Sequence, residues 1–177
     1  MPVTLAELLD SRDTRVKHQK DLLGAYPGKS LLCLTVQLPG PDKRNTTSLK
    51  IAEAGVVAVR KAFLPEYEEL KDLETGYEAY FLVDLPAEEA KRRACEIEDT
   101  HPLGRLMDID VLHEASTEPT RIVGRADIGL PPRKCLLCEN EVRYCMRAKT
   151  HSKEELLSRI EQILKEYELQ ATNPRTD

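Results

Sequence analysis

The chain has 177 residues, 41% of them hydrophobic and 32% charged, with a formal net charge of −5. That length suits one domain, and the apolar share supports a sizeable core built from aliphatic residues, since Trp is absent and only two Phe occur. The acidic balance gives no reason to expect a nucleic-acid partner, and the sequence holds no apolar run of the roughly 18 residues that a membrane span needs.

The start, TLAE, is a capping box with Thr4 as N-cap and Glu7 three residues on. Leu5, Leu8, Leu9 and Val16 then give helical spacing to about residue 23. SLLCLTVQL is a buried strand closed by PGP at 39–41. From Ser48 the spacing is helical until Pro65. YEELKDL and GYEAYFLVDL are two strands joined near Thr75 and Gly76, and PAEEAKRRACEIED is a helix with Pro86 in its first turn. After the loop THPLGR comes a strand over 106–112, with RIVGRADI pairing back on it as a hairpin. PPRKCLLCENEVRYCMRA reads as a helix entered through prolines. SKEELLSRIEQILKEYEL is a further amphipathic helix, with Ser152 and Glu155 as its capping box. Residues 171–177 are expected to be a disordered tail.

The order from 31 to 112 is β-α-β-β-α-β. It predicts an α+β, ferredoxin-like sheet with an N-terminal helix, an extra hairpin and a C-terminal helical segment over 131–169, all in one domain spanning 1–170. Both crossing helices should cover one face and leave the other open for a ligand. The N-terminus lacks the basic-then-apolar order of a secretory signal. A cytoplasmic location is therefore expected, where the five cysteines stay reduced.

GRLMDIDVL, residues 104–112, places Asp108 and Asp110 in an apolar run. Strand alternation puts both on one face and Met107, Ile109 and Val111 on the other. The carboxylates then stand about 7 Å apart along the strand. Two carboxylates so placed suit one or two Mg²⁺ ions, and such a centre serves in-line displacement at phosphorus. A polar edge strand is the plain alternative. Against it, Gly104 and Arg105 precede the pair. Seven basic residues follow over 121–151 (Arg121, Arg125, Arg133, Lys134, Arg143, Arg147, Lys149) against three acidic ones. Arg grips phosphate with paired hydrogen bonds. Asp127 is the positional candidate for a third carboxylate, and a turn cap is its alternative role.

Cys135, Cys138, Cys145 and His151 offer a Zn²⁺ ligand set. If 135–145 is one helix, Cys135 and Cys145 lie about 15 Å apart along it and cannot share an ion. On that preferred reading they are small buried apolar residues. Zinc requires a break near Glu139 and Asn140. His101, in the loop entering the aspartate strand, suits a structural hydrogen bond better than a catalytic role.

HPLGRLMDIDVL, followed by LPPRKCLLC, C-x-R and KTH, resembles the citrate lyase holo-acyl-carrier-protein synthase family, the apo-citrate lyase phosphoribosyl-dephospho-CoA transferases. SRDTRVKHQ and PGPDK add to the likeness, which runs from about Leu8 to Leu164. The resemblance implies transfer of phosphoribosyl-dephospho-CoA from triphosphoribosyl-dephospho-CoA to a serine of the citrate lyase acyl carrier protein, with release of diphosphate. The reading of the residues fits that chemistry, with Mg²⁺ on Asp108 and Asp110 and Asp127 a less certain third ligand. Triphosphate contacts would come first from Gly104, Arg105, Arg125, Arg133 and Lys134, and second from Arg147, Lys149, Arg12 and Arg15. The resemblance leaves the cysteines undecided, and a nucleotidyltransferase-palm-like sheet of different strand order stays open. Two rivals are a related transferase for another carrier, of malonate decarboxylase type, and a non-catalytic zinc-containing RNA-binding module. The second is opposed by the lack of a clear pair of sheet aromatics for base stacking.

Overall fold

The structure, a computed structural model, describes residues 2–114 and 120–172. Helix α1 (Leu5–Ala25) opens with both hydrogen bonds of the Thr4–Glu7 capping box. Strand β1 (Ser30–Val36) follows, then α2 (Thr46–Phe63), whose start Asn45 and Ser48 cap reciprocally. Strands β2 (Tyr67–Leu73) and β3 (Gly76–Val83) form the hairpin, with Gly76 at φ +118° in its turn. Such a φ suits only a residue without a Cβ. Next come α3 (Ala87–Thr100), β4 (Met107–His113), the short β5 (Arg121–Val123), α4 (Val142–Ala148) and α5 (Lys153–Thr172).

The sheet order is β2-β3-β1-β4-β5, and every neighbouring pair is antiparallel. The first four strands thus have the split-βαβ order expected from the alternation of elements, and β5 adds one short edge strand. The extra hairpin is shorter than RIVGRADI suggests, because the chain turns into a 3₁₀ segment at Ala126–Ile128.

One face of the sheet lies under α2 and α3. There Leu32, Leu34, Phe81, Met107, Ile109 and Val111 meet Ile51, Val59 and Ala94 of the helices. The other face is not open along its whole length, which corrects the expectation of a free ligand surface. Leu22 and Leu23 of α1 cover Leu31, Leu82 and Leu112 at one end of it. The cause is in the strands: β1 and β3 are apolar on both sides at that end, so the sheet needs a second cover.

The long helix expected from 131 is absent. The backbone folds into a small hairpin, with Cys135 N–H donating to Asn140 O (2.7 Å) and Val142 N–H to Arg133 O (2.9 Å). A bridge joins Lys134 and Glu141, and helix begins only at Val142. Helix α5 continues through Thr172, past the expected start of the tail at 171. Residues 173–177 of that tail lie outside the described residues. Among the described residues, no helix is long and apolar enough to cross a membrane.

Candidate active site and metal-ligand cluster

Register fixes the aspartate face. Thr35 of β1 stands between Glu78 of β3 and Asp108 of β4, and Cys33 stands between Tyr80 and Asp110. Asp108 and Asp110 are each half-buried, whereas their neighbours Met107, Ile109 and Val111 are buried under the helices. Burial, with the Asp108 charge second, pushes the Asp110 carboxyl up to about 6. Among the described residues no hydrogen bond or ion pair reaches it. A carboxylate left without donors in a half-buried row fits a hard cation that brings its own waters.

Helix α1 is tied to the same face beside these rows. Arg15 Nε lies 3.3 Å from Glu78, His18 Nε2 lies 2.6 Å from Glu69, and the Ser11 and Thr75 hydroxyls are 2.8 Å apart. A cleft of about 440 Å³ opens between α1 and the β2–β3 hairpin, lined by Arg15, His18, Lys71, Glu78 and Tyr80 among others. Glu78 is buried, and the Tyr80 hydroxyl donates to it. Arg12, one turn before Arg15, is exposed, and after burial its charge is the second influence lowering the Lys43 ammonium. Glu78 and Lys43 were not among the expected site residues. Glu78 becomes visible only through pairing register. Lys43 lay in the quoted PGPDK but carried no assigned role.

At the edge of β4 the basic residues divide. Arg133 reaches the site: its Nη2 donates to Met107 O (2.6 Å) and its Nη1 to Asp108 Oδ1 (3.4 Å). Arg105 Nη2 donates to the backbone carbonyls of Lys134 and Cys135. Arg125 is bound to Glu98 (3.0 Å) and Asp99 (2.8 Å), so it serves α3. Lys134 pairs with Glu139, and Arg147 and Lys149 are exposed around the end of α4. Asp127 accepts from Gly124 N–H (2.7 Å) and faces Arg121 (3.4 Å), the geometry of a turn cap; it contacts neither aspartate of β4. His101 Nδ1 accepts from Leu103 N–H (3.0 Å), a loop bond of the expected kind, and burial lowers its pKa.

Gly104 makes its close approach to α3. A Cβ there would lie 2.3 Å from Ile97 O and 2.7 Å from Glu98 O. Backbone carbonyls at a helix end have little room to yield. Gly104→Ala is expected to cost about 2 kcal/mol, read as a lower midpoint in urea unfolding with an unchanged slope. An unchanged midpoint would show that the loop simply moves aside.

The cysteine segment holds a second constellation. One ligand atom from each of Cys135, Cys138, Cys145 and His151 lies within 4.8 Å of all the others, so the group could bind a metal such as zinc. Cys138 Sγ is 3.5 Å from Cys145 Sγ and 3.3 Å from His151 Nε2. The hairpin at 134–141 supplies the break that a continuous helix would have lacked, and the reading of buried helical cysteines is thereby corrected. Burial works to raise the Cys135 thiol, but N–H groups of Leu137 and Cys138 and the neighbouring thiols outweigh it and hold it low.

The sequence as a whole is similar to known proteins. The family model for apo-citrate lyase phosphoribosyl-dephospho-CoA transferase matches residues 3–167. A Streptococcus pyogenes protein described as a probable apo-citrate lyase phosphoribosyl-dephospho-CoA transferase is 34% identical over 165 residues, covering 92% of this chain and 85% of the relative. Proteins of that description from Shigella boydii and Escherichia coli are each 38% identical over 167 residues, covering 92% of this chain and 88% of their own. With the family model spanning residues 3–167 and these relatives aligned over 92% of the chain, the chain belongs to the apo-citrate lyase phosphoribosyl-dephospho-CoA transferase family, a family of transferase enzymes.

Proposed function

We propose that this chain transfers the phosphoribosyl-dephospho-CoA group from triphosphoribosyl-dephospho-CoA to a serine of the citrate lyase acyl carrier protein, releasing diphosphate. The observation that supports it best is the aspartate row: two carboxylates on one sheet face, Asp110 without a protein donor, and Arg133 at Asp108. Asp108 and Asp110 would hold Mg²⁺. When bound, that ion supplies charge stabilisation for the phosphoryl group and the departing diphosphate.

The chain's own groups do the rest by position. The carrier's serine Oγ forms the new bond at the inner phosphorus and gives its proton up to solvent, and the bond to the outer two phosphates breaks, its electron pair leaving with diphosphate. Arg133, held by Met107 O, turns a guanidinium toward Asp108, where it would meet a phosphate oxygen beside the carboxylate. Arg15, Lys71 and Lys43 would face the donor from the α1 side. Asp127, Arg125 and Gly104 are left in the scaffold by the contacts they already make. The cytoplasm, where donor and carrier would be made, is the proposed location.

The test is direct. The purified protein, the triphosphate donor, Mg²⁺ and apo-carriers of citrate lyase and of malonate decarboxylase are incubated, and intact masses are read. A gain equal to phosphoribosyl-dephospho-CoA on the citrate lyase carrier is expected. Modification of the other carrier alone would reassign the partner, and no gain on either would end the proposal.

A further inference from the structure

We infer that Cys135, Cys138, Cys145 and His151 hold one Zn²⁺ in a closed structural site, and that this ion is the clip keeping Arg133 against Asp108. The first half stands on geometry alone; the second rests on the proposed function.

Tetrahedral zinc with thiolate and imidazole ligands has bonds of about 2.3 and 2.0 Å, so its edges are about 3.5–3.8 Å. The edges from Cys138, at 3.5 Å to Cys145 and 3.3 Å to His151, are already near that size. Four protein ligands fill the tetrahedron and leave no position for water or substrate, the mark of a structural site. Soft thiolates select zinc over the Mg²⁺ that carboxylates favour.

The segment needs such a staple. Over 131–151 its regular structure is one bridge and the seven residues of α4. Its buried side chains are the ligands Cys135 and Cys145, and Leu136 packs part-buried on the core. That is too little apolar surface to fix a fold without a metal. A disulfide is a poorer explanation. Cys138 and Cys145 would have to close from 3.5 Å to about 2.05 Å, and the bond would leave Cys135 and His151 unused.

The ion's position gives it a second effect. Cys135 lies two residues after Arg133, and the backbone from that arginine to Cys135 is hydrogen-bonded at three successive carbonyls. Val142 N–H donates to Arg133 O (2.9 Å), and Arg105 grips the Lys134 and Cys135 carbonyls from the turn that precedes β4. Holding the four ligands together therefore holds the Arg133 backbone, and its guanidinium stays on Met107 O and Asp108. Arg105 and the zinc ligands are positioning residues on this account.

Elemental analysis of the full chain, purified without chelator, should give about one zinc per chain. Co²⁺ exchanged into it should show thiolate charge-transfer and tetrahedral ligand-field bands. Cys138→Ser and His151→Ala should lose the metal, Cys33→Ser and Cys95→Ser should keep it, and His151→Cys should restore it, which separates ligand loss from failure to fold. Zinc removal should speed amide exchange at Cys135 and Val142 about a hundredfold, a readout independent of which carrier is modified. It should also raise the donor KM about tenfold or more, as Arg133→Ala should, with the double change no worse than either. A metal-free chain with no tetrahedral cobalt spectrum, or a mass two hydrogens low from a disulfide, would overturn the site. Zinc loss with unchanged exchange and donor KM would overturn the clip while leaving both the site and the transferase reading standing.

Discussion

Asp110→Asn is expected to abolish transfer and to stabilise the fold at the same time. The Asp110 carboxyl is pushed up to about 6, chiefly by burial and then by the Asp108 charge beside it. In the unfolded chain an aspartate releases its proton near pH 4. Between those values the folded chain holds a proton that the unfolded chain has lost. The contribution of this group to stability therefore falls as pH rises from about 4 to about 6, and above that the fold carries an unpaired buried charge. An amide of the same shape removes the charge, and the gain at pH 7 should be on the order of 2 kcal/mol. Urea unfolding at pH 7 and at pH 4 checks this: the variant should gain at the first and not at the second. Activity should fall by about 10³ or more if the carboxylate holds the ion at the reacting phosphate. Asp108→Asn should show the same loss of transfer. A destabilised Asp110→Asn that still transfers would make Asp110 a structural residue and end the metal-centre proposal.

The split-βαβ order was legible in the sequence because each element carried its own signal: apolar runs for β1 and β3, capping boxes at α1 and α5, prolines at the helix ends. The shared face of Asp108 and Asp110 followed from alternation alone. Three features were not legible. The packing of α1 on the aspartate face depends on Leu22 and Leu23 meeting Leu31, Leu82 and Leu112, a contact between distant segments. The partnership of Glu78 with Thr35 and Arg15 depends on strand register, which single-strand periodicity does not set. The hairpin at 134–141 is short, and its cross-chain bonds leave no periodic trace, so the prolines before it and the helix after it suggested one long helix. The basic residues after β4 were equally ambiguous. Only contacts separate Arg133, which faces Asp108, from Arg125, which is spent on Glu98 and Asp99.

Glu98 shows what a buried carboxylate looks like when it serves the fold. It is 1% exposed on α3, and its two oxygens are both used. Oε1 accepts from Ile109 N–H (2.9 Å), and Oε2 meets Arg125 (3.0 Å) with Arg133 Nε at 3.9 Å. Lys91, also buried, donates to Ile109 O (2.8 Å). β5 pairs with β4 only from Val111 to His113, so the edge of β4 at Ile109 and Met107 would otherwise be bare. Glu98, Lys91 and Arg133 replace the missing strand there, holding straight the stretch that carries Asp108 and Asp110. Glu98→Ala is therefore expected to leave Ile109 N–H buried without a partner and Arg125 with Asp99 alone, at a cost of about 3 kcal/mol. For a domain of this size that is a midpoint lower by about 10 °C. Glu98→Gln keeps an acceptor for Ile109 and loses the charge, so it should fall between the two. Thermal unfolding of the three proteins tests the order. Equal midpoints for Glu98→Ala and the parent would mean that water satisfies the strand edge, and the rigidity claimed for the aspartate row would then have to come from β1 alone.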